Sequence, residues 1–234
     1  MAKAWLPLES NPDVLNDYLR TLGLTEPKIG FYDVYGLDPE LLAMVPRKIH
    51  AFLLLYPISD AVEQGDAAAL KQQEKEGEKF MADNKFFYSK QTISNACGTM
   101  GVLHAVLNNM AVAGKVEAGS TLDEFFSKTK DMSPEERARF IESSSTLDEA
   151  HSAAASAGVS EKPPVDADVD LHFTCFVRIG GYCVELDGRK SRPLLHNRCS
   201  DEEGFVSAAT AAILEKMNYD PASSRFNILA LCDL

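Results

Sequence analysis

Five cysteines occur in the chain, Cys97, Cys175, Cys183, Cys199 and Cys232, and one of them sits where a thiol gains nucleophilic character. Cys97 lies in Gln91-Thr92-Ile93-Ser94-Asn95-Ala96-Cys97-Gly98-Thr99-Met100-Gly101. Asn95 or Ser94 can cap a helix here, which puts Cys97 in its first turn. Free backbone N–H groups and the positive end of the helix dipole favour thiolate over thiol at such a position. Ala96, Gly98 and Gly101 are small enough for another backbone or a substrate to come close. Gln91 can turn its amide toward a developing oxyanion. A lone buried cysteine is more often inert packing. Here the helix start, the glycines and the upstream glutamine point together to a nucleophile.

A thiol nucleophile needs a base, and a hairpin supplies the candidate. Leu171–Ile179 and Tyr182–Leu186 read as strands joined through Gly180-Gly181, a strong two-residue turn signal. If Ile179 faces Tyr182, one face carries Phe173, Cys175, Val177 and Ile179 opposite Leu186, Val184 and Tyr182. That face is apolar and belongs to the core. The other carries His172, Thr174, Phe176 and Arg178 opposite Asp187, Glu185 and Cys183, with Asp187 diagonal to His172. Diagonal neighbours have Cα atoms roughly 7–8 Å apart, within reach of an imidazole and a carboxylate. A carboxylate there orients the ring and stabilises its protonated form. Taken singly, Asp187-Gly188 is turn chemistry and His172 an ordinary strand-end histidine. With Cys97 in hand, the three read as an active site.

The other candidates lack partners. Cys175 falls on the apolar face, and Cys183, Cys199 and Cys232 have no base or carboxylate at a telling spacing. His104, about two turns beyond Cys97, reads as structural, and His50, His151 and His196 have no evident partner. No ligand cluster is present, so neither a metal nor another cofactor is expected.

The elements that must position these residues are partly legible. Asn11 as cap, Pro12 at the first helical position and Gly23 as stop delimit a helix whose Val14, Leu15, Tyr18, Leu19 and Leu22 share one face. Phe31–Tyr35, Ala51–Tyr56 and Phe226–Leu231 read as strands, the second apolar throughout as a central strand would be. Polar Gln64–Lys79 reads as a solvated helix or a loose excursion. Ser133-Pro134-Glu135-Glu136 opens a helix with a capping box, and Ser200-Asp201-Glu202-Glu203 opens another that runs through Met217. Ser143–Asp168, rich in Ser and Ala with little apolar mass, reads as a long exposed excursion. No linker divides the chain, so residues 1–234 are expected to form one α/β (α+β) domain, a central mostly antiparallel sheet flanked by helices.

Bulk properties narrow the class further. With 234 residues and 45% hydrophobic content the chain can bury a core. A formal charge of -12 argues against nucleic acid as the main partner, because phosphate binding wants a basic face. The odd cysteine count without CxxC spacing argues against a disulfide framework and for a reducing compartment. No opening apolar run resembles a signal peptide, and no stretch reaches a membrane span. A location in the cytoplasm, or in cytoplasm and nucleus, and a monomer are the expectations.

These motifs resemble the ubiquitin carboxyl-terminal hydrolase family, in its short single-domain form. Trp5-Leu6-Pro7-Leu8-Glu9 to Asp13, Gln91–Gly101, and Asp170-Leu171-His172 through Glu185-Leu186-Asp187-Gly188-Arg189 carry the match, joined by Phe31–Gly36 and Ser133–Arg139. The resemblance implies Cys97 as nucleophile, His172 as general base and acid, Asp187 as orienting carboxylate and Gln91 in the oxyanion hole. It implies a papain-like thiol-hydrolase architecture with a knotted backbone and a crossover loop at residues 143–168 over the site. It also implies ubiquitin as partner, with a close ubiquitin-like modifier accepted by some related members, and small or flexible adducts as leaving groups. Asp33, Leu8 and Glu9 are the candidate substrate-binding residues, an acidic surface suiting the arginines of the ubiquitin tail. Two other readings remain open: a ubiquitin-binding protein with little turnover, and a thiol hydrolase of another peptide or ester.

Overall fold

The computed structural model describes residues 3–46, 48–160 and 169–234. In chain order these form α1 (Pro12–Thr21), β1 (Leu24–Pro27), β2 (Ile29–Asp33), the single turn α2 (Pro39–Leu42), β3 (Ile49–Pro57), α3 (Asp60–Gln72) and α4 (Glu74–Asp83). There follow α5 (Cys97–Leu107), the short α6 (Met110–Ala113), β4 (Gly114–Val116), α7 (Thr121–Lys128), α8 (Pro134–Ser143) and α9 (Ser145–Ala157). The last elements are β5 (Leu171–Ile179), β6 (Tyr182–Leu186), β7 (Leu194–Arg198), α10 (Glu202–Asn218) and β8 (Asn227–Asp233).

Local chemistry explains most boundaries. Asn11 accepts from the Asp13 N–H and Pro12 begins α1; Gly23, at φ 112°, takes the left-handed turn that a side chain would strain. Ser133 and Glu136 cap α8 reciprocally, and Asp201 accepts from the Gly204 N–H at the start of α10. Polar Gln64–Lys79 is helical, shared between α3 and α4. Their junction is pinned by the Gln73 side chain, which donates to Leu195 O at 2.7 Å and accepts from Leu195 N at 2.9 Å.

Six strands form the main sheet in the order β2-β8-β3-β5-β6-β7, every neighbouring pair antiparallel. β3 is central, and its alternation explains its unbroken apolar sequence. Leu53, with Phe173, Cys175 and Val177 of β5, faces the layer containing α1, α5 and α9. Phe52, Leu54 and Tyr56 face the opposite layer, with Val62 of α3 and Phe205 and Ile213 of α10. The β5–β6 hairpin has the expected register from Ile179↔Tyr182 to Cys175↔Leu186. Its Gly180 and Gly181, at φ 57° and 79°, supply the two positive φ values of a type I′ turn.

One expectation is corrected. Within Ser143–Asp168, residues Ser145–Ala157 are not an exposed excursion but helix α9, capped by Ser144 on the Leu147 N–H. Leu147, Ala150, His151, Ala154 and Ala155 are buried as α9 packs on α1. Apart from Leu147, alanines and a histidine make up this face, so its periodicity carries little hydrophobic signal. Residues 161–168 of the expected crossover loop lie outside the described residues. No helix among the described residues is long and apolar enough to cross a membrane.

Candidate active site

The segment that carries Cys97, the candidate nucleophile, is held by the N-terminal segment. Ser94 N donates to Lys3 O at 3.1 Å and Trp5 N to Ser94 O at 3.0 Å, a parallel bridge. Asn95 then turns left-handed, with φ 60°, and its Nδ2 donates to Trp5 O at 3.1 Å. This corrects the capping expectation: neither Ser94 nor Asn95 caps α5, whose cap position is Ala96 with no side-chain hydrogen bond. Asn95 is engaged with the N-terminal segment instead. The outcome for Cys97 is the same, because it is the first residue of α5, and no cap competes for the N–H groups of that turn. The small neighbours admit parts of the chain itself. A Cβ on Gly98 would stand 2.8 Å from Leu8 Cβ, and one on Gly101 3.3 Å from Leu53.

His172, on β5, sits opposite Tyr56 of β3. Its Nε2 and Asp187 Oδ1 are 2.7 Å apart, so the diagonal pair does meet, and both residues are buried. The imidazole also hydrogen-bonds the Cys97 thiol. Asp187 Oδ1 accepts the Arg189 N–H at 2.9 Å, while Oδ2 accepts from the Tyr56 hydroxyl at 3.2 Å. Asp187 is a turn residue as well, since its carbonyl accepts from Lys190 N at 3.0 Å.

The turn that carries Asp187 is tied to the irregular segment leading to Cys97. Gln91 N donates to Gly188 O at 2.9 Å. Tyr88 Oη reaches Asp187 O at 3.0 Å and Lys190 O at 2.7 Å, and Lys90 Nζ reaches Ser191 O at 2.6 Å. The Asp187 turn and the segment before Cys97 are thus braced against each other, although 90 positions separate Cys97 from Asp187 in the chain.

Electrostatics follow from this packing. Burial alone would raise the Asp187 pKa, but the His172 charge and hydrogen bond hold that carboxyl well below its usual range. Burial pulls His172 down, and Asp187 outweighs it to give a pKa of about 9. Burial opposes a Cys97 thiolate, yet the His172 hydrogen bond and charge bring its pKa below the ordinary thiol value. The arrangement therefore favours a thiolate–imidazolium pair, the reactive form of a thiol nucleophile. The thiols of Cys175, Cys183, Cys199 and Cys232 are all raised by burial.

Cys97 opens on a groove of about 450 Å³ whose walls include Leu8, Glu9, Leu55, Val169, Leu171 and Phe173. Leu8 presents an apolar wall. The Glu9 carboxylate is engaged by its own chain, accepting from Asn11 Nδ2 at 3.0 Å and from Ser160 N at 2.8 Å. Asp33 lies away from the groove lining, half-buried at the end of β2, where burial and the Asp13 charge raise its pKa. Gln91 Nε2 donates to Ile93 O at 3.2 Å. Among the described residues no cluster of His, Cys, Asp or Glu is placed to hold a metal.

His104 is buried, accepts the Ser89 N–H at 3.2 Å and has its pKa lowered by burial to about 4, in keeping with a structural role. The remaining histidines do have partners: Asp233 for His50 at 2.6 Å, Glu185 for His196 at 3.1 Å, and Thr99 and Leu6 O for His151 at 2.8 and 2.7 Å. Sequence reasoning missed Tyr56, Tyr88 and Arg189. A tyrosine ending the apolar run of β3 was the available signal, since a buried phenol requires a partner for its hydroxyl.

The profile of the family described as ubiquitin carboxyl-terminal hydrolase, family 1, matches residues 5–218. Ubiquitin carboxyl-terminal hydrolase 3 of Arabidopsis thaliana is 43% identical over 230 residues, covering 98% of this chain and 94% of that protein. Human ubiquitin carboxyl-terminal hydrolase isozyme L1 is 38% identical, covering 97% of each chain. The catalytic domain of Trichinella spiralis UCH37, solved bound to ubiquitin vinyl methyl ester, shares the fold with a TM-score of 0.72 at 22% identity, covering 98% of this chain and 96% of that one. A family match spanning the Cys97 helix, the His172 strand and the Asp187 turn agrees with the geometry built above, and the chain belongs to family 1 of the ubiquitin carboxyl-terminal hydrolases.

Proposed function

We propose that the protein is a thiol deubiquitinase that releases small or flexible groups from the C-terminal glycine of ubiquitin. The observation that carries this reading is the joined Cys97–His172–Asp187 set, whose Cys97 lines the groove, in a chain of this family. The Cys97 thiolate attacks the carbonyl carbon of the terminal glycine. The negative oxygen is met by backbone N–H groups at the start of α5 and by Gln91, whose amide nitrogen has a second hydrogen besides the one donated to Ile93 O. Imidazolium His172 gives its proton to the leaving amine as the C–N bond breaks, then takes one from water, whose oxygen displaces the thiolate. Asp187 keeps the ring oriented throughout.

Three finer features belong to the same proposal. Acidic residues, Asp33 with its neighbour Asp13, attract the basic ubiquitin tail, an attraction that weakens as salt screens it beyond about 8–10 Å. A close ubiquitin-like modifier with a similar tail is a second substrate. The protein acts as a monomer in a reducing cytoplasmic or nuclear compartment, a setting supported by its free thiols. Ubiquitin carrying a C-terminal fluorogenic amide is the test. Fast release of the fluorophore supports the proposal; tight binding without release makes the protein a binding module, and neither result directs the thiol chemistry to another peptide or ester.

A further inference from the structure

The Asp187 carboxylate is held on both oxygens. Oδ1 takes His172 Nε2 and the Arg189 N–H, and Oδ2 takes the hydroxyl of Tyr56. With Oδ1 alone engaged, the carboxylate could swing about its Cβ–Cγ bond and carry the imidazole with it. A donor on the second oxygen fixes its plane. Tyr56 is fully buried on β3, and its ring meets the His172 ring edge-on at 5.7 Å. It therefore touches both members of the pair.

What holds Tyr56 is an ionic cluster against its ring. Lys216 Nζ stands 4.9 Å from the ring centroid, where a cation draws on the ring electrons and makes the phenol a stronger donor. Lys216 is itself fixed by Asp66 at 2.8 Å and Glu185 at 2.8 Å. Glu185 is further tied to Thr174 at 3.2 Å and His196 at 3.1 Å, and Asp66 to Lys190 at 2.8 Å. A buried ion cluster is a poor way to gain stability, since well-packed apolar residues often serve as well. Its geometry is better explained by the ring it supports.

We propose that Tyr56 is a positioning residue for the thiol chemistry, locking the Asp187 carboxylate against His172 from beneath while Lys216 holds the phenol. This inference rests on the hydrolase reading, and its test separates the two. Tyr56→Phe removes the hydroxyl and keeps the ring. With the ubiquitin amide substrate, kcat should fall about tenfold, the size of one hydrogen bond to a charged group, with KM unchanged. In an Asp187→Asn background the same substitution should cost nothing further, because Tyr56 acts only through that carboxylate. An unchanged kcat, or an equal loss in both backgrounds, overturns the proposal. A substrate-free readout is the His172 ring N–H proton in NMR spectra, which should move upfield in Tyr56→Phe as its bond to Asp187 weakens; an unmoved resonance also overturns it. If the unaltered protein does not cleave the amide, the hydrolase reading fails and the resonance alone decides the role of Tyr56.

Discussion

Replacing Asp187 by asparagine removes the charge that lifts His172 and leaves the burial that lowers it. The folded His172 pKa is about 9 against an ordinary 6.5, a preference for the imidazolium of about 3 kcal/mol at 1.36 kcal/mol per pH unit. Because the folded value is the higher one, this stabilisation is fully present below pH 6.5 and is lost as pH rises through about 9. The same proton sets the alkaline limb of kcat/KM, since the imidazolium both favours the thiolate and protonates the leaving group. In Asp187→Asn the limb should move to distinctly lower pH, because burial loses its main counterweight. More of the pair would then be thiol and imidazole at neutral pH, with kcat lower by about 10²–10⁴ and ubiquitin affinity nearly intact. The assay is hydrolysis of the ubiquitin amide from about pH 5 to about pH 10, with urea unfolding measured in the same buffers. An alkaline limb that stays near its original pH in the variant would refute the claim that Asp187 sets the charge of His172.

Three further outcomes follow from the packing. Lys216→Met leaves Asp66 and Glu185 without their shared cation and should destabilise the fold by about 3–5 kcal/mol in urea unfolding; a loss under about 1 kcal/mol would show that Lys190 and His196 suffice. Gly188→Ala places a Cβ 2.9 Å from both Gln91 N and Gln91 Cβ, prising the Asp187 turn from the nucleophile segment. It should cost about 1–3 kcal/mol of stability and depress kcat more than it raises KM; a change confined to KM would contradict this. Glu9→Ala removes the acceptor of the Ser160 N–H and releases residues 158–160 after α9 from the groove wall. Turnover of a short peptide adduct should hold while cleavage of a folded ubiquitin dimer rises, and equal rates for the two in the unaltered protein would rule out any filtering by that segment.

What was legible in the sequence was local. The register of the β5–β6 hairpin follows from Gly180-Gly181 and strand alternation, and that register brings Asp187 to His172. The caps of α1, α8 and α10 were legible for the same reason, each resting on residues within a turn of one another. Asn95 misled because its side chain answers a carbonyl 90 positions away instead of its own helix. Helix α9 was hidden because alanine packs closely without contributing much hydrophobicity. Tyr56 and the ion cluster were out of reach for a different reason. The β3–β5 pairing and the Asp66–Lys216 contact, spanning 150 positions, arise only when the sheet closes and α10 covers it.

The central claim is that Cys97 alone performs the chemistry on the terminal glycine of ubiquitin. Incubation with ubiquitin bearing a C-terminal vinyl methyl ester, followed by mass spectrometry of the intact protein and its peptides, tests it most directly. One adduct per chain is expected, mapped to Cys97, absent from Cys97→Ser and retained by Cys175→Ser. An adduct on any other cysteine, capture by the Cys97→Ser protein, or no adduct on the unaltered chain would contradict it.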